Sequence, residues 1–280
     1  MGRASTGLAA RWEQVVSNIV GGSSTDGATS TASASTNTKG SWATDTSWKP
    51  TFNWHLMRVT IWNGNTGDYV VDIGADDGSG NVFVLCPDLR CPGRLAPRSG
   101  VITYLIPLHV PAGRQLALAT ACSTGSRAAR VSIAGCSVGI GGAPGFARMV
   151  ALYTPSTSRG VSIDPGGTAH TKGAWTELTS SSSARVTALM LAVGGAADTS
   201  HAAEQQAFVD IGIGASSSER VLLPDLGFAA DQTQSQWHPH VYGPHPVDVP
   251  AGTRFAARSQ CSVNTAGDRV LDLALWGLVA

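Results

Sequence analysis

The sequence predicts an all-β chain: two tandem antiparallel β-sandwich domains of jelly-roll type, behind a short N-terminal helix or arm. Three observations predict it. One set of motifs occurs twice in the same order, short apolar or alternating runs recur between turn residues, and helical periodicity is nearly confined to the N-terminus. At 280 residues, 42% hydrophobic and 14% charged, the chain is long and apolar enough for two domains, each with a core.

The duplication organises the rest. Thr38-Lys39-Gly40-Ser41-Trp42 returns as Thr171-Lys172-Gly173-Ala174-Trp175, and Val71-Asp72-Ile73-Gly74 as Val209-Asp210-Ile211-Gly212. Pro87-Asp88-Leu89 returns as Pro224-Asp225-Leu226, and Val110-Pro111-Ala112-Gly113 as Val249-Pro250-Ala251-Gly252. Cys122 falls on Cys261, and Arg130-Val131 aligns with Arg269-Val270. The spacing between copies drifts by only a few residues, in intervals that read as loops, where insertions are tolerated. This divides the chain into an arm (1–26), copy one (27–143), a connector (144–159) and copy two (160–280). The connector holds a strand-like run, Met149 to Tyr153.

Within copy one, strand-like segments are Met57 to Trp62, Tyr69 to Ile73, Val82 to Leu85, Val101 to Ile106, Arg114 to Ala119 and Arg130 to Ala134. Copy two repeats the order with Val186 to Val193, Ala207 to Ile213, Val221 to Leu223, Arg254 to Ala257 and Val270 to Leu278. Short strands at turn-separated intervals read as a sandwich. Pro111 and Pro250 suit strand starts, because proline donates nothing to a ladder, while Gly113 and Gly252 suit a turn with positive φ. Trp42 and Trp175 are expected in the core or between sheets. Asp72 and Asp210 interrupt apolar strands, so each is expected to face solvent or to accept a backbone hydrogen bond. Lys39, Gly40, Gly74, Asp88, Lys172, Gly173, Gly212 and Asp225 complete a set of anchors read as specifying the fold.

At the N-terminus Trp12, Val15, Val16, Ile19 and Val20 fall at i, i+3, i+4, i+7 and i+8, which predicts a short amphipathic helix. Such a helix is marginal alone and is expected to bury its stripe on its own domain or in a neighbouring subunit. A flexible Ser/Thr/Ala-rich stretch follows it.

Lysine plus arginine equals aspartate plus glutamate at 19 each, giving zero net charge, which argues against a nucleic-acid partner. No run approaches the ~18 apolar residues of a membrane span, so no membrane insertion is expected. No secretory signal is read, since Trp12, Glu13 and Gln14 interrupt any apolar region there. The five cysteines form an odd set without metal spacing, so no disulfide framework is expected, although Cys86 and Cys91 flank a turn-like Pro-Asp-Leu-Arg that a local bridge would span.

Chemistry is scarce. His238, His240 and His245 lie close together but lack a matching cysteine or carboxylate, and they are expected to be loop histidines rather than metal ligands. The acidic stretch from Asp76 to Asn81 lacks the terminal glutamate of a calcium loop and reads as a hairpin turn. There is no nucleophile elbow, no phosphate-cradling loop and no H-E-x-x-H. The chain is expected to be no enzyme, with no catalytic residues, no metal and no cofactor. Trp48, Phe52, Trp54 and Trp62, with His55 nearby, would suit a sugar-stacking platform, but large aromatics more often fill sandwich cores.

The segment from Gly160 to Leu178, with its Thr171-Lys172-Gly173-Ala174-Trp175 opening, is followed by Val209-Asp210-Ile211-Gly212-Ile213-Gly214 and by Val221 to Leu226. Together these resemble a module of tailed-bacteriophage structural proteins. Copy one fits more loosely, with Ala43-Thr44-Asp45 and Ala75-Asp76 departing from the pattern, and the resemblance spans most of the chain from about Gly27 onward. It implies a virion component of the tail, neck or collar, baseplate or head surface, assembled in the host cytoplasm. Its implied partners are other virion proteins and further copies of itself in a symmetric oligomer, with no catalytic residues to carry over. The alternative is a β-sandwich adhesin that binds carbohydrate or a receptor, such as a cell-surface glycan.

Overall fold

A computed structural model describes residues 10–16, 27–63, 67–77, 79–91, 100–142, 145–154, 158–195, 205–230 and 240–280. The first unit contains β1 (Trp12–Val16), β2 (Ala28–Thr31), β3 (Ala43–Thr44), β4 (Leu56–Asn63) and β5 (Tyr69–Asp76). It continues with β6 (Val82–Cys91), β7 (Gly100–Ile106), β8 (Leu116–Cys122) and β9 (Ala128–Cys136). The second contains β10 (Arg148–Ala151), β11 (Val161–Ile163), β12 (Thr176–Thr179), β13 (Val186–Gly195) and β14 (Gln205–Ile213). It ends with β15 (Arg220–Ala230), β16 (His240–Val249), β17 (Phe255–Cys261), the single turn α1 (Ala266–Arg269) and β18 (Leu271–Val279).

Each unit is a sandwich of two antiparallel sheets. In the first, β1-β9-β4-β7, with β2 also on β9, faces β3-β8-β5-β6. In the second, β10-β18-β13-β16, with β11 also on β18, faces β12-β17-β14-β15. The two orders are identical strand for strand and are those of a jelly roll. Alternation along the strands builds the cores: Tyr69, Val71 and Ile73 of β5 point inward and are fully buried, as do Val209 and Ile211 of β14. The turn glycines of the repeated Val-Pro-Ala-Gly adopt φ of 77° at Gly113 and 82° at Gly252, as the turn reading expects.

The N-terminal helix is not formed. Trp12–Val16 is a strand paired antiparallel with β9, Trp12 opposite Cys136 and Val16 opposite Ile133. A spacing of four serves a helix or a regular strand alike, but a bulge after Gln14 turns Val16 inward while Trp12 stays on the outer face, and the edge of β9 offers backbone partners that an isolated helix lacks. Val16 is fully buried, Trp12 is 47% exposed, and Val15 packs against the core from the side. Ile19 and Val20 lie outside the described residues. β10 stands in the second unit where β1 stands in the first, pairing with β18 so that Met149 opposes Leu278. Residues 12–16 and 148–151 therefore belong to the sandwiches rather than to an arm and a connector.

One repeat assignment also moves. Val131 pairs with Ala28 directly after Gly27 (φ 106°), and Leu273 pairs with Val161 directly after Gly160 (φ 100°). Val131 thus corresponds to Leu273, and Arg130 to Asp272. The turn α1 adds residues before β18 and carries Arg269 out to an ion pair with Asp164 at 2.7 Å.

Candidate functional site: a repeated lysine–aspartate cluster and the contact between the copies

The anchors scattered along the sequence converge on one cluster in each unit. β6 carries one extra residue between Cys86 and Leu89 relative to β5, a bulge that leaves Asp88 at φ 50°. β15 repeats it, with Asp225 at φ 48°. The bulged amide donates to the aspartate of the neighbouring strand: Asp88 N to Asp72 Oδ1 at 2.7 Å, Asp225 N to Asp210 Oδ1 at 2.9 Å. A lysine then ties both carboxylates. Lys39 Nζ lies 2.5 Å from Asp72 and 2.7 Å from Asp88, and Lys172 Nζ lies 2.7 Å from Asp210 and 2.8 Å from Asp225. The tryptophan of the same motif, expected in the core or between sheets, instead lies half-buried on the outer face, its ring edge against the glycine two residues beyond the first aspartate. A β-carbon on Gly74 would sit 2.9 Å from the Trp42 ring, and one on Gly212 would sit 2.7 Å from Trp175. Three motifs separated along the chain therefore clamp one bulge against one sheet.

The two clusters differ in one partner. Opposite Asp210 on β17 stands Arg258, which donates to Asp210 Oδ2 at 2.9 Å and lies 4.6 Å over the Trp175 ring. Opposite Asp72 on β8 stands Ala119. Burial raises the Asp72 pKa more than Lys39 lowers it, and Asp88 adds to the rise, so Asp72 titrates above the ordinary aspartate value. At Asp210 burial also acts upward, but the Asp225 amide, Lys172 and Arg258 outweigh it, and the pKa is lowered. The pH dependences therefore have opposite sign. Asp210 stabilises the fold above the unfolded aspartate pKa and loses that contribution as pH falls through its depressed folded value. Asp72 favours the fold when protonated, a contribution lost as pH rises through its raised folded value. Carboxyl carbon shifts in an NMR titration are expected to show Asp72 titrating above, and Asp210 below, an unperturbed aspartate; coincident curves would contradict this.

The Asp72 side chain is 13% exposed against 4% for Asp210, but more protein surrounds it, because the second unit packs against that side of the first. Outward side chains of β10 and β18 meet the β6 edge. Trp276 Nε1 donates to the Pro87 carbonyl at 2.8 Å, and the Tyr153 hydroxyl donates to the Asp88 carbonyl at 3.2 Å. Trp276 also meets Tyr104 and Tyr153 edge-on, at 5.9 and 6.2 Å between ring centroids. Arg90, 1% exposed, donates to the Asp272 carbonyl at 2.9 Å and reaches its carboxylate at 3.5 Å, while Ser162 donates to the other carboxylate oxygen at 2.6 Å. At the junction Arg159 pairs with Asp68 at 2.9 Å. The cores of the two units run together through this contact.

The remaining sequence candidates separate. Trp48 and Trp54 are buried, so the proposed sugar platform is not assembled from them; Phe52 is stacked under Arg11 at 4.5 Å. His55 stacks instead on His109, with 4.9 Å between ring centroids. Asp77 accepts from the Ser79 amide at 2.7 Å and from both nitrogens of Asn81, which closes a hairpin turn between β5 and β6. His240 stacks between Phe228 and Tyr242, His245 pairs with Leu189 further along β16, and His238 lies outside the described residues. All five cysteines are buried, and none is joined in a disulfide. Cys86 and Cys91 occupy one strand, opposite Ile73 and Tyr69, so they do not meet across a turn, and burial pushes both thiols up. The contact between the copies left little signal along the chain, because Arg90, Trp276 and Asp272 have no like residue in the other copy, although Pro87, Asp88 and Tyr104 recur. The one available signal was Trp276, a tryptophan without a counterpart in copy one.

No protein-family model and no curated protein matches the chain. Among solved structures it is similar to the N-terminal CBM22-1–CBM22-2 tandem domain of Xyn10C from Paenibacillus barcinonensis. That match has 11% identity over 99% of this chain and 94% of that one, with a TM-score of 0.27. It is also similar to PNGF-II, at 7% identity over 96% of this chain and 65% of that one, with a TM-score of 0.33.

Proposed function

We propose that the protein is a non-enzymatic structural subunit acting through protein–protein contacts in a multi-copy assembly, and that this assembly is a tailed-phage virion. The observation that carries the first part is the placement of exposed apolar side chains. Trp12, Val101 and Leu105, between 37% and 47% exposed, all lie on the outer face of the β1-β9-β4-β7 sheet. The matching face of the second unit is the one that packs on the first. A sheet face used for docking in one copy, and carrying exposed apolar side chains among Gln14, Arg58, Thr60 and Thr103 in the other, suits a protein that docks again. The motif resemblance supports the second part.

A second reading is favoured by one detail of the same face. Trp12 lies beside Arg58, whose guanidinium is 5.7 Å from the ring centroid, over a hollow lined also by Glu13, Gln14 and Ala134, an arrangement that would suit a sugar ring. Quantitative mass spectrometry of purified particles, run beside a glycan array, distinguishes the two. The structural reading expects the chain at a fixed multi-copy ratio and no array signal. Array binding abolished by Trp12→Ala, with the chain absent from particles, would replace it with the adhesin reading.

A further inference from the structure

The contact between the copies is heterologous: the β6 edge of one unit receives the outer sheet face of the next. Because the units share a fold, each chain carries both halves of that contact a second time, and among the described residues neither is covered in the same way. The receiving edge recurs on β15. Tyr104 donates to the Arg90 carbonyl in the first unit, and Tyr242 donates to the Gly227 carbonyl at the same place in the second. Tyr104 is fully buried beneath Trp276, whereas Tyr242 is only partly covered. The Asp88 side chain is 17% exposed, that of its counterpart Asp225 65%. Beside Tyr242, Phe208 lies across Gly227 and is 38% exposed, where the first unit has Val70 at 3%.

The covering face recurs on β1 and β9 with its side chains exchanged in a compensating way. Where the second unit offers Met149 and Trp276, the first offers Trp12 and Ala134, so the large ring moves to the neighbouring strand. Where Asp272 meets Arg90, the first unit offers Arg130, and Gly227 replaces Arg90. The charge is inverted, and the exposed Asp225 stands next to the position that Arg90 would fill.

We propose that the partner of these two surfaces is a second copy of this chain. The β1–β9 face of one chain covers the β15 edge of the next as β10–β18 covers β6 within a chain, with Trp12 seated near Tyr242 and Arg130 paired with Asp225. Repetition of a heterologous contact gives a closed ring or a filament, according to the rotation between successive units. The proposal rests on the structural reading above and names its partner.

Sedimentation velocity of the full chain over a concentration series tests it. Wild type is expected to associate with increasing concentration, and Trp12→Asp to weaken association by at least about tenfold. Asp225→Arg and Arg130→Glu, each folded by circular dichroism, are expected to be monomeric alone. Mixed, they are expected to co-assemble, because every contact in an alternating array then joins opposite charges. A wild type that stays monomeric throughout, or a mixture of the two charge variants that stays monomeric while wild type associates, overturns the proposal. If the first result comes with fixed-ratio incorporation into particles beside a different protein, self-docking alone falls. If the chain is also absent from particles, the structural reading falls with it.

Discussion

Asp272→Ala is expected to destabilise the chain by roughly 3–5 kcal/mol in urea unfolding, since removing one partner of a buried pair leaves the other charge without compensation. Arg90 and Asp272 are 1% and 0% exposed, and Asp272 also holds Ser162. The Arg90 contact with the Asp272 carbonyl, at 2.9 Å, survives the substitution and keeps the loss toward the lower end. The double variant Arg90→Met/Asp272→Leu is expected to recover most of the loss, because apolar residues of similar volume replace a buried ion pair at little cost. Hydrogen exchange is expected to quicken in β6 and β10 of Asp272→Ala, where the units meet. A single variant within about 0.5 kcal/mol of wild type would show that the pair does not hold the two sandwiches together.

Trp54→Ala is the second large effect, at about 3–5 kcal/mol for deletion of a buried tryptophan. Trp54 is fully buried, and its ring lies so close over Gly135 of β9 that a β-carbon there would fall 1.7 Å from it. Its indole donates to Glu13 of β1 at 2.7 Å, and Glu13 also takes the Thr51 amide at 2.9 Å. Trp54 therefore couples the β9 backbone to the strand that was expected to be a helix. Faster exchange at Trp12–Val16 in Trp54→Ala would show that coupling, and unchanged exchange there would refute it. Gly135→Val is expected to unfold the first unit by overpacking the same position.

How much of this the sequence held follows from where each residue does its work. The Lys39–Asp72–Asp88 and Lys172–Asp210–Asp225 clusters were legible as repeated motifs because each serves its own sandwich, and both copies need the same bulge. That they form one ion cluster was not legible, since separations along the chain say nothing about which strands pair. The expectation that Asp72 and Asp210 accept a backbone hydrogen bond holds at both sites. The β1 strand was misread because the spacing of Trp12, Val15 and Val16 mimics a helical stripe, whereas pairing with β9 across a bulge places Trp12 and Val16 on opposite faces. The contact between the copies left a weak repeated signature: Tyr104 recurs as Tyr242, but Arg90 stands where the other unit has Gly227, and Asp272 where it has Arg130.

The most direct test of a subunit that docks through repeated sheet-face contacts is an electron-microscopy map of the chain in its assembled form. The β1-β9-β4-β7 face of one chain is expected to lie over the β15 edge of its neighbour, with Trp12 and Asp225 both buried between them. A map in which both surfaces face solvent, or in which a glycan fills the hollow beside Trp12, would contradict it.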